Sequence, residues 1–237
     1  QTQVNLGAIY YLEKNYVKSK EYIEKAANMN NLNANLFLGY FYFRGFGVDQ
    51  DFVKARKYFE SSSDDQALLY LATIYCNGLG TPKDGLKAKY YYEILAKREN
   101  PLGFLFLGIM YCKGIGVEQD YLKAKNYYES AAKLKNSNAM INLGDLYRNG
   151  YGVNKDYSKA KEYYELAARS YNSHAFVNLG HLYRKGYFVE KDIKTAIHYY
   201  EFASYQKNPI SFFHLADLYS TGDSIPVNLN KSIYYFS

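Results

Sequence analysis

The chain has 237 residues, of which 48% are hydrophobic, and carries a formal net charge of +6. That apolar content suffices to bury a core, which excludes a disordered chain. No apolar run nears the ~18 residues of a membrane span, and no basic stretch leads into a short apolar segment as in a signal peptide.

The two cysteines, Cys76 and Cys112, are too few for a disulfide framework and occupy equivalent places in neighbouring segments. Packed helices stand ~8–10 Å apart, whereas a disulfide needs Cα atoms within ~7 Å. Two free thiols are therefore expected, and a reducing, cytoplasmic setting with them; the alternative is the endoplasmic-reticulum lumen. The chain opens at Gln1 without an initiator Met and stops at Ser237 inside a helical pattern, which fits a segment excised from a longer protein.

Taken in order, the elements repeat. A small residue follows a Leu at Gly7, Gly39, Ala72, Gly108, Gly144, Gly180 and Ala216, with a spacing of 36 over the last four intervals. The units are expected at about 1–30, 31–64, 65–99, 100–135, 136–171, 172–207 and 208–237. The first, from Leu6-Gly-Ala-Ile-Tyr10 to Lys25-Ala-Ala27, has a short inter-helix segment. The second carries Leu38-Gly-Tyr-Phe-Tyr-Phe-Arg-Gly-Phe-Gly-Val48, and the fourth carries Leu107-Gly-Ile-Met-Tyr-Cys-Lys-Gly-Ile-Gly-Val117, followed by Lys123-Ala-Lys-Asn-Tyr-Tyr-Glu-Ser-Ala-Ala132.

The fifth unit shows the pattern in full. Ala139, Leu143, Leu146 and Tyr147 lie on one stripe of an amphipathic helix. Gly150 and Gly152 stop that helix, Val153 offers an apolar plug and Asp156 is placed to cap the next. Ala160, Tyr163, Tyr164, Ala167 and Ala168 then give the second helix an Ala/Tyr face. Gly144 inside the first helix costs ~1 kcal/mol against Ala, so its recurrence calls for close approach of the second helix. Most of the 30 tyrosines are expected in the core, with hydroxyls hydrated at the rim. Three loops depart from Gly-x-Gly-Val and are expected to bend differently: Gly78-Leu-Gly-Thr-Pro-Lys-Asp84, Gly186-Tyr-Phe-Val-Glu-Lys-Asp192 and Gly222-Asp-Ser-Ile-Pro-Val-Asn228. The last unit is truncated.

The string Leu143-Gly-Asp-Leu-Tyr-Arg-Asn-Gly-Tyr-Gly-Val-Asn-Lys-Asp-Tyr-Ser-Lys-Ala-Lys-Glu-Tyr-Tyr-Glu-Leu-Ala-Ala168 resembles the Sel1-like repeat, a relative of the tetratricopeptide repeat with a longer glycine loop. The likeness extends over nearly the whole chain, and the short first unit is similar to an ordinary tetratricopeptide repeat. The resemblance implies an all-α fold, a right-handed α-α superhelix or solenoid of about seven helix-turn-helix repeats. It also implies the work of an adaptor, as in members serving endoplasmic-reticulum degradation and bacterial signalling.

By analogy with tetratricopeptide arrays, the first helix of each unit lines a concave groove. Positions carried over from that geometry select Phe37, Tyr40, Phe43, Tyr70, Leu105, Phe106 and Ile109, an apolar half suited to a partner's anchor residues. They continue with Asn142, Asp145, Arg148, Asn178, His181 and Arg184. There the two Asn could clamp an extended backbone and the two Arg could fork onto a carboxylate, while His181 reads as a surface imidazole. The competing reading of the apolar half is inter-repeat core, and of the polar half solvated helix ends.

Catalytic and metal signals are weak. Ser130-Ala-Ala-Lys133 is the ordinary end of a second helix, and Gly80-Thr-Pro-Lys-Asp-Gly-Leu-Lys87 lacks the lysine and preceding strand of a phosphate loop. His174 and His181 stand two helical turns apart, while His198 and His214 fall in separate helices, so no metal site or cofactor is expected. Lysines such as Lys123, Lys125, Lys159 and Lys161 recur among Glu on the second helices as a solvated face, so nucleic acid is not the expected partner class.

The sequence thus points to a non-enzymatic scaffold that binds a protein or peptide, without membrane insertion, and with self-association through exposed terminal repeats. The alternatives are a regulatory repeat region of a larger signalling protein, and a bacterial Sel1-like hydrolase. Enzyme-like members of that last kind are rich in paired cysteines, unlike this chain.

Overall fold

A computed structural model describes residues 2–29 and 31–236, with Leu32 as backbone only. The termini Gln1 and Ser237 lie outside the described residues, as does Asn30. Among the described residues there are fourteen helices and no strand. They fall into two compact units, residues 1–119 and 120–237.

The first unit holds α1 (Thr2–Leu12), α2 (Tyr16–Ala27), α3 (Leu32–Arg44), α4 (Phe52–Glu60), α5 (Asp65–Asn77), α6 (Gly85–Lys97) and α7 (Pro101–Lys113). The second holds α8 (Tyr121–Lys133), α9 (Ser137–Asn149), α10 (Tyr157–Ala168), α11 (Ser173–Lys185), α12 (Ile193–Tyr205), α13 (Pro209–Thr221) and the short α14 (Leu229–Phe236). Within each unit every helix packs on its neighbours in sequence, and α3 also touches α5. Such a stack buries each amphipathic stripe against the next element.

Capping is periodic. Asp51, Asp84, Asp156 and Asp192 cap α4, α6, α10 and α12, each carboxylate accepting a backbone N–H of the first turn at 2.9–3.1 Å. Asn100, Asn136, Asn172 and Asn208 do the same for α7, α9, α11 and α13. The Asn172 and Asn208 amides also donate back, at 2.9 Å, to Ser137 and Ser173 in the preceding unit's first helix. One side chain therefore starts a helix and ties it to its neighbour.

The small residue in the first helix is explained by contact. A Cβ built on Gly144 would lie 2.4 Å from Cε1 of Tyr164, and one on Gly180 2.5 Å from Cε1 of Tyr200. Both rings are 0% exposed. In the first unit Gly39 meets Phe59 in the same way. Val153 packs, as expected, against the cluster of Ala160, Tyr164, Ala167 and Leu179.

Two expectations need correction. The tyrosines are mostly half-buried: Tyr75, Tyr92, Tyr128, Tyr147, Tyr164, Tyr200 and Tyr219 are the buried ones among the described residues. Nor do all the hydroxyls reach water, since the Tyr164 hydroxyl is held by Asp145 at 2.7 Å and the Tyr200 hydroxyl is buried without a hydrogen-bond partner among the described residues.

The departing loops also bend like the others. Gly150 and Gly152 take φ of 75° and 66°; Gly186 and Phe188 take 71° and 62°, and Gly222 and Ser224 take 68° and 61°. Each loop closes through the N–H of the second-helix cap onto a Tyr carbonyl of the first helix, from Asp84 to Tyr75, Asp156 to Tyr147, Asp192 to Tyr183 and Asn228 to Tyr219, at 2.8–3.0 Å. Helix ends and caps impose the same turn, and the side chains adapt to it.

Candidate functional site

In the first helices from α3 to α11 the residues one before, two after and five after the recurrent Leu are half-buried. This holds for Phe37, Tyr40 and Phe43 on α3, for Asn142, Asp145 and Arg148 on α9, and for Asn178, His181 and Arg184 on α11. They form the strip that core packing leaves partly open. Leu105 does not belong to it: it is 4% exposed, like Ile141 and Val177 at the same register, and packs between helices.

In the first unit the strip is aromatic and its members hold one another. Tyr40 and Tyr70 stand 5.9 Å apart between ring centroids, Phe43 and Tyr70 5.0 Å, and Tyr70 stacks on buried Phe59 at 4.8 Å. Phe106 stacks on Tyr92 at 4.9 Å, and Ile109 is half-buried one turn on. The Tyr11 phenol is pushed up to about 12, first by its hydrogen bond with Tyr40 and then by burial. Cys76 and Cys112 are free thiols, both half-buried.

The second unit places polar groups on the same strip, but they are largely engaged with one another. Arg148 pairs with Asp145 at 3.1 Å, and its other nitrogen donates to the Asn178 carbonyl at 3.5 Å. Arg184 pairs with Asp217 at 2.7 Å and with Asp223 at 3.5 Å, leaving its side chain 14% exposed. Burial opposes its charge, yet the bond to Asp217 prevails and raises its pKa further. Arg184 therefore already has its carboxylates, and the expected fork onto a ligand is closed at that residue.

His181 is not a surface imidazole. Its ring meets His214 at 4.3 Å and Tyr200 at 5.9 Å, both edge-on. Its pKa is pushed down to about 4, chiefly by burial and then by the charges of His214, Arg148, Arg184 and Lys185. His214, which takes the register of Asn142 and Asn178, is lowered too, again by burial first. Nδ1 of His214, Nε of Arg184 and the Tyr200 hydroxyl are all buried without a hydrogen bond among the described residues. No group of three or more His, Cys, Asp or Glu side chains able to hold a metal occurs among the described residues.

Beside this cluster a cleft of about 320 Å³ opens at the ends of α9 and α11, with Arg148, Lys155, Lys185, His181, Tyr157 and Tyr187 in its wall. Tyr157 and Tyr187 stack at 4.5 Å. Of these residues the sequence reading had picked only Arg148 and His181. Superposing the repeats would have offered the missing signal, since Lys155 stands where Gln50 and Gln119 stand in other loops.

Stacked helix pairs, Asp and Asn caps that alternate from α6 to α13 and a left-handed double turn define an all-α helix-turn-helix repeat protein of the solenoid class. The Sel1 repeat model matches residues 3–31, 32–66, 65–100, 105–136, 137–172, 174–208 and 213–237, so the chain belongs to the Sel1 repeat family. Arrays of this family generally act in protein–protein interaction. The first short-turned unit is among the matched residues.

Among solved structures, a Sel1 repeat protein from Oxalobacter formigenes is 26% identical with a TM-score of 0.87, over 98% of this chain and 97% of that one. The protective antigen c5321 of uropathogenic Escherichia coli, which displays an SLR fold, is 26% identical with a TM-score of 0.77 over 99% of this chain. The match spans 52% of that antigen, about half its length. The immunity protein Pa5087 of Pseudomonas aeruginosa, at 23% identity and a TM-score of 0.59 over 77% of this chain and 71% of that one, shares the fold. No curated protein matches the chain. No helix among the described residues is long and apolar enough to cross a membrane.

Proposed function

We propose that this protein is a non-catalytic scaffold that holds a partner protein or peptide on the open strip of its first helices. The observation that carries the reading is the aromatic strip of Tyr40, Phe43 and Tyr70, which stays half-exposed although its rings are packed on one another. Rings immobilised before binding lose little entropy on binding and offer large contact area, the property of good anchor sites. Phe37, Phe106 and Ile109 extend that apolar strip, while Asn142, Asp145, Arg148, Asn178 and His181 give the second unit a polar one. A cytoplasmic protein or peptide ligand is the partner class.

Quantitative capture of partners on the immobilised chain tests this, comparing the native protein with Tyr40→Asp and Ile109→Asp variants that keep their helical circular dichroism. Partners that are retained by the native chain and lost from both variants are expected. Unchanged capture by both would overturn the reading. The scaffold is also expected to self-associate through α14, where Leu229, Ile233 and Phe236 are each more than 60% exposed. Sedimentation that stays monomeric at every concentration would contradict that part.

A further inference from the structure

We propose that the cleft at the C-terminal ends of α9 and α11 receives acidic side chains of a bound protein segment, with Lys155 and Lys185 as its free cations. This rests on the scaffold reading and adds the chemistry of the partner.

Some lysines of the second helices are neutralised along their own helix: Lys125 pairs with Glu129 at 3.2 Å and Lys161 with Glu165 at 2.8 Å. Lys155 and Lys185 differ from this pair in lining one cleft together, and neither has a carboxylate partner among the described residues. At the loop position of Lys155, Gln50 and Gln119 donate to the carbonyls of Phe43 and Cys112 at 2.8 Å, and Lys191 reaches Asp223 at 2.9 Å. The Lys155 ammonium instead lies 5.7 Å from the centre of the Tyr157 ring.

The charge balance favours an anion. Asp145 offsets Arg148, and the two helix C-termini bring about half a negative charge each, so the two lysines leave the cleft with roughly one positive charge unanswered.

A protein segment fits better than a nucleic acid. A polyanion needs successive phosphates met along a track, but the next cations, Arg184 and Lys191, are closed by Asp217 and Asp223. The tyrosine faces that could stack a base are turned on each other, 12° from parallel. Their edges and the aliphatic lysine stems suit the methylenes of a glutamate.

The test is a titration of the whole chain with an acetylated, amidated tetraglutamate peptide at low salt, followed by amide NMR shifts. Shifts are expected to concentrate at residues 148–157 and 181–187. Lys155→Gln with Lys185→Gln should weaken binding about fivefold, whereas Lys125→Gln with Lys161→Gln, the same charge change, should have less than about a twofold effect. Equal loss in both double variants, or shifts spread evenly over the lysines, would overturn the proposal. So would tighter binding at this cleft by a single-stranded oligonucleotide of equal charge. These outcomes are independent of capture by Tyr40→Asp and Ile109→Asp, so either reading can fail alone.

Discussion

Tyr164 donates its hydroxyl hydrogen to the Asp145 carboxylate at 2.7 Å from a fully buried ring. One repeat later the ring is Tyr200, equally buried, but the acidic position is taken by His181 and the hydroxyl has no hydrogen-bond partner among the described residues. The same phenol is therefore satisfied in one unit and orphaned in the next. Tyr164→Phe should lower the free energy of unfolding by about 1–2 kcal/mol, because a charged acceptor loses its donor. Tyr200→Phe should be neutral or slightly stabilising, since it removes an unpaired buried polar atom. Urea unfolding of both variants measures the contrast, and equal losses would contradict it.

Acid should weaken the second unit. An unfolded histidine takes its proton near pH 6.5, whereas folded His181 resists it down to about 4. Between those values the unfolded chain binds more protons, so stability is full above about pH 6.5 and falls as the pH drops toward 4. His214, lowered in the same direction, adds to the loss. The loss from His181 is on the order of 3 kcal/mol when complete. His181→Asp, which offers Tyr200 the acceptor that Asp145 gives Tyr164, should flatten the profile over that window in unfolding curves at pH 7, 5.5 and 4.5.

Glycine in the first helices is a steric requirement. Gly144→Ala gains up to ~1 kcal/mol of helix propensity but sets a methyl 2.4 Å from a ring that Asp145 and full burial hold in place. Overpacking of that kind costs about 1–3 kcal/mol, so a net loss is expected. Ala216→Gly should also destabilise, by about 1 kcal/mol, through propensity alone. Thermal unfolding of the two variants separates the effects.

Phe188 holds a left-handed turn, at φ 62°, that its equivalents Gly47, Gly80, Gly116 and Gly152 hold without a Cβ. A side chain in that region costs ~1–2 kcal/mol, and the ring, 66% exposed, recovers little by burial. Phe188→Gly should raise stability by about 0.5–1 kcal/mol after the greater unfolded-state freedom of glycine is counted. A melting temperature unchanged or lowered would argue against strain at this position.

Much of the molecule was legible in residues alone because its signals are local. Gly144 and Tyr164 sit in one unit, 20 residues apart, and their small-against-large pairing follows from helical spacing. Asp156 before an apolar-periodic run is a cap in any context. The 36-residue period, the helix pairs and the positions of the turns needed nothing more. Even so, side-chain identity misled at Phe188, where helix ends and caps fixed the turn regardless of the missing glycine.

What only the tertiary structure decided was the pairing of side chains between neighbouring repeats. Arg148 and Arg184 look equivalent in sequence, yet one keeps a face on the cleft while the other is enclosed by Asp217 and Asp223, residues 33 and 39 positions away. His181 meets His214 for the same reason: stacking brings the first helices of adjacent units together, and charge and burial there depend on both units at once. The period determined the scaffold, and the contacts between its layers determined which of its polar groups remain free to bind.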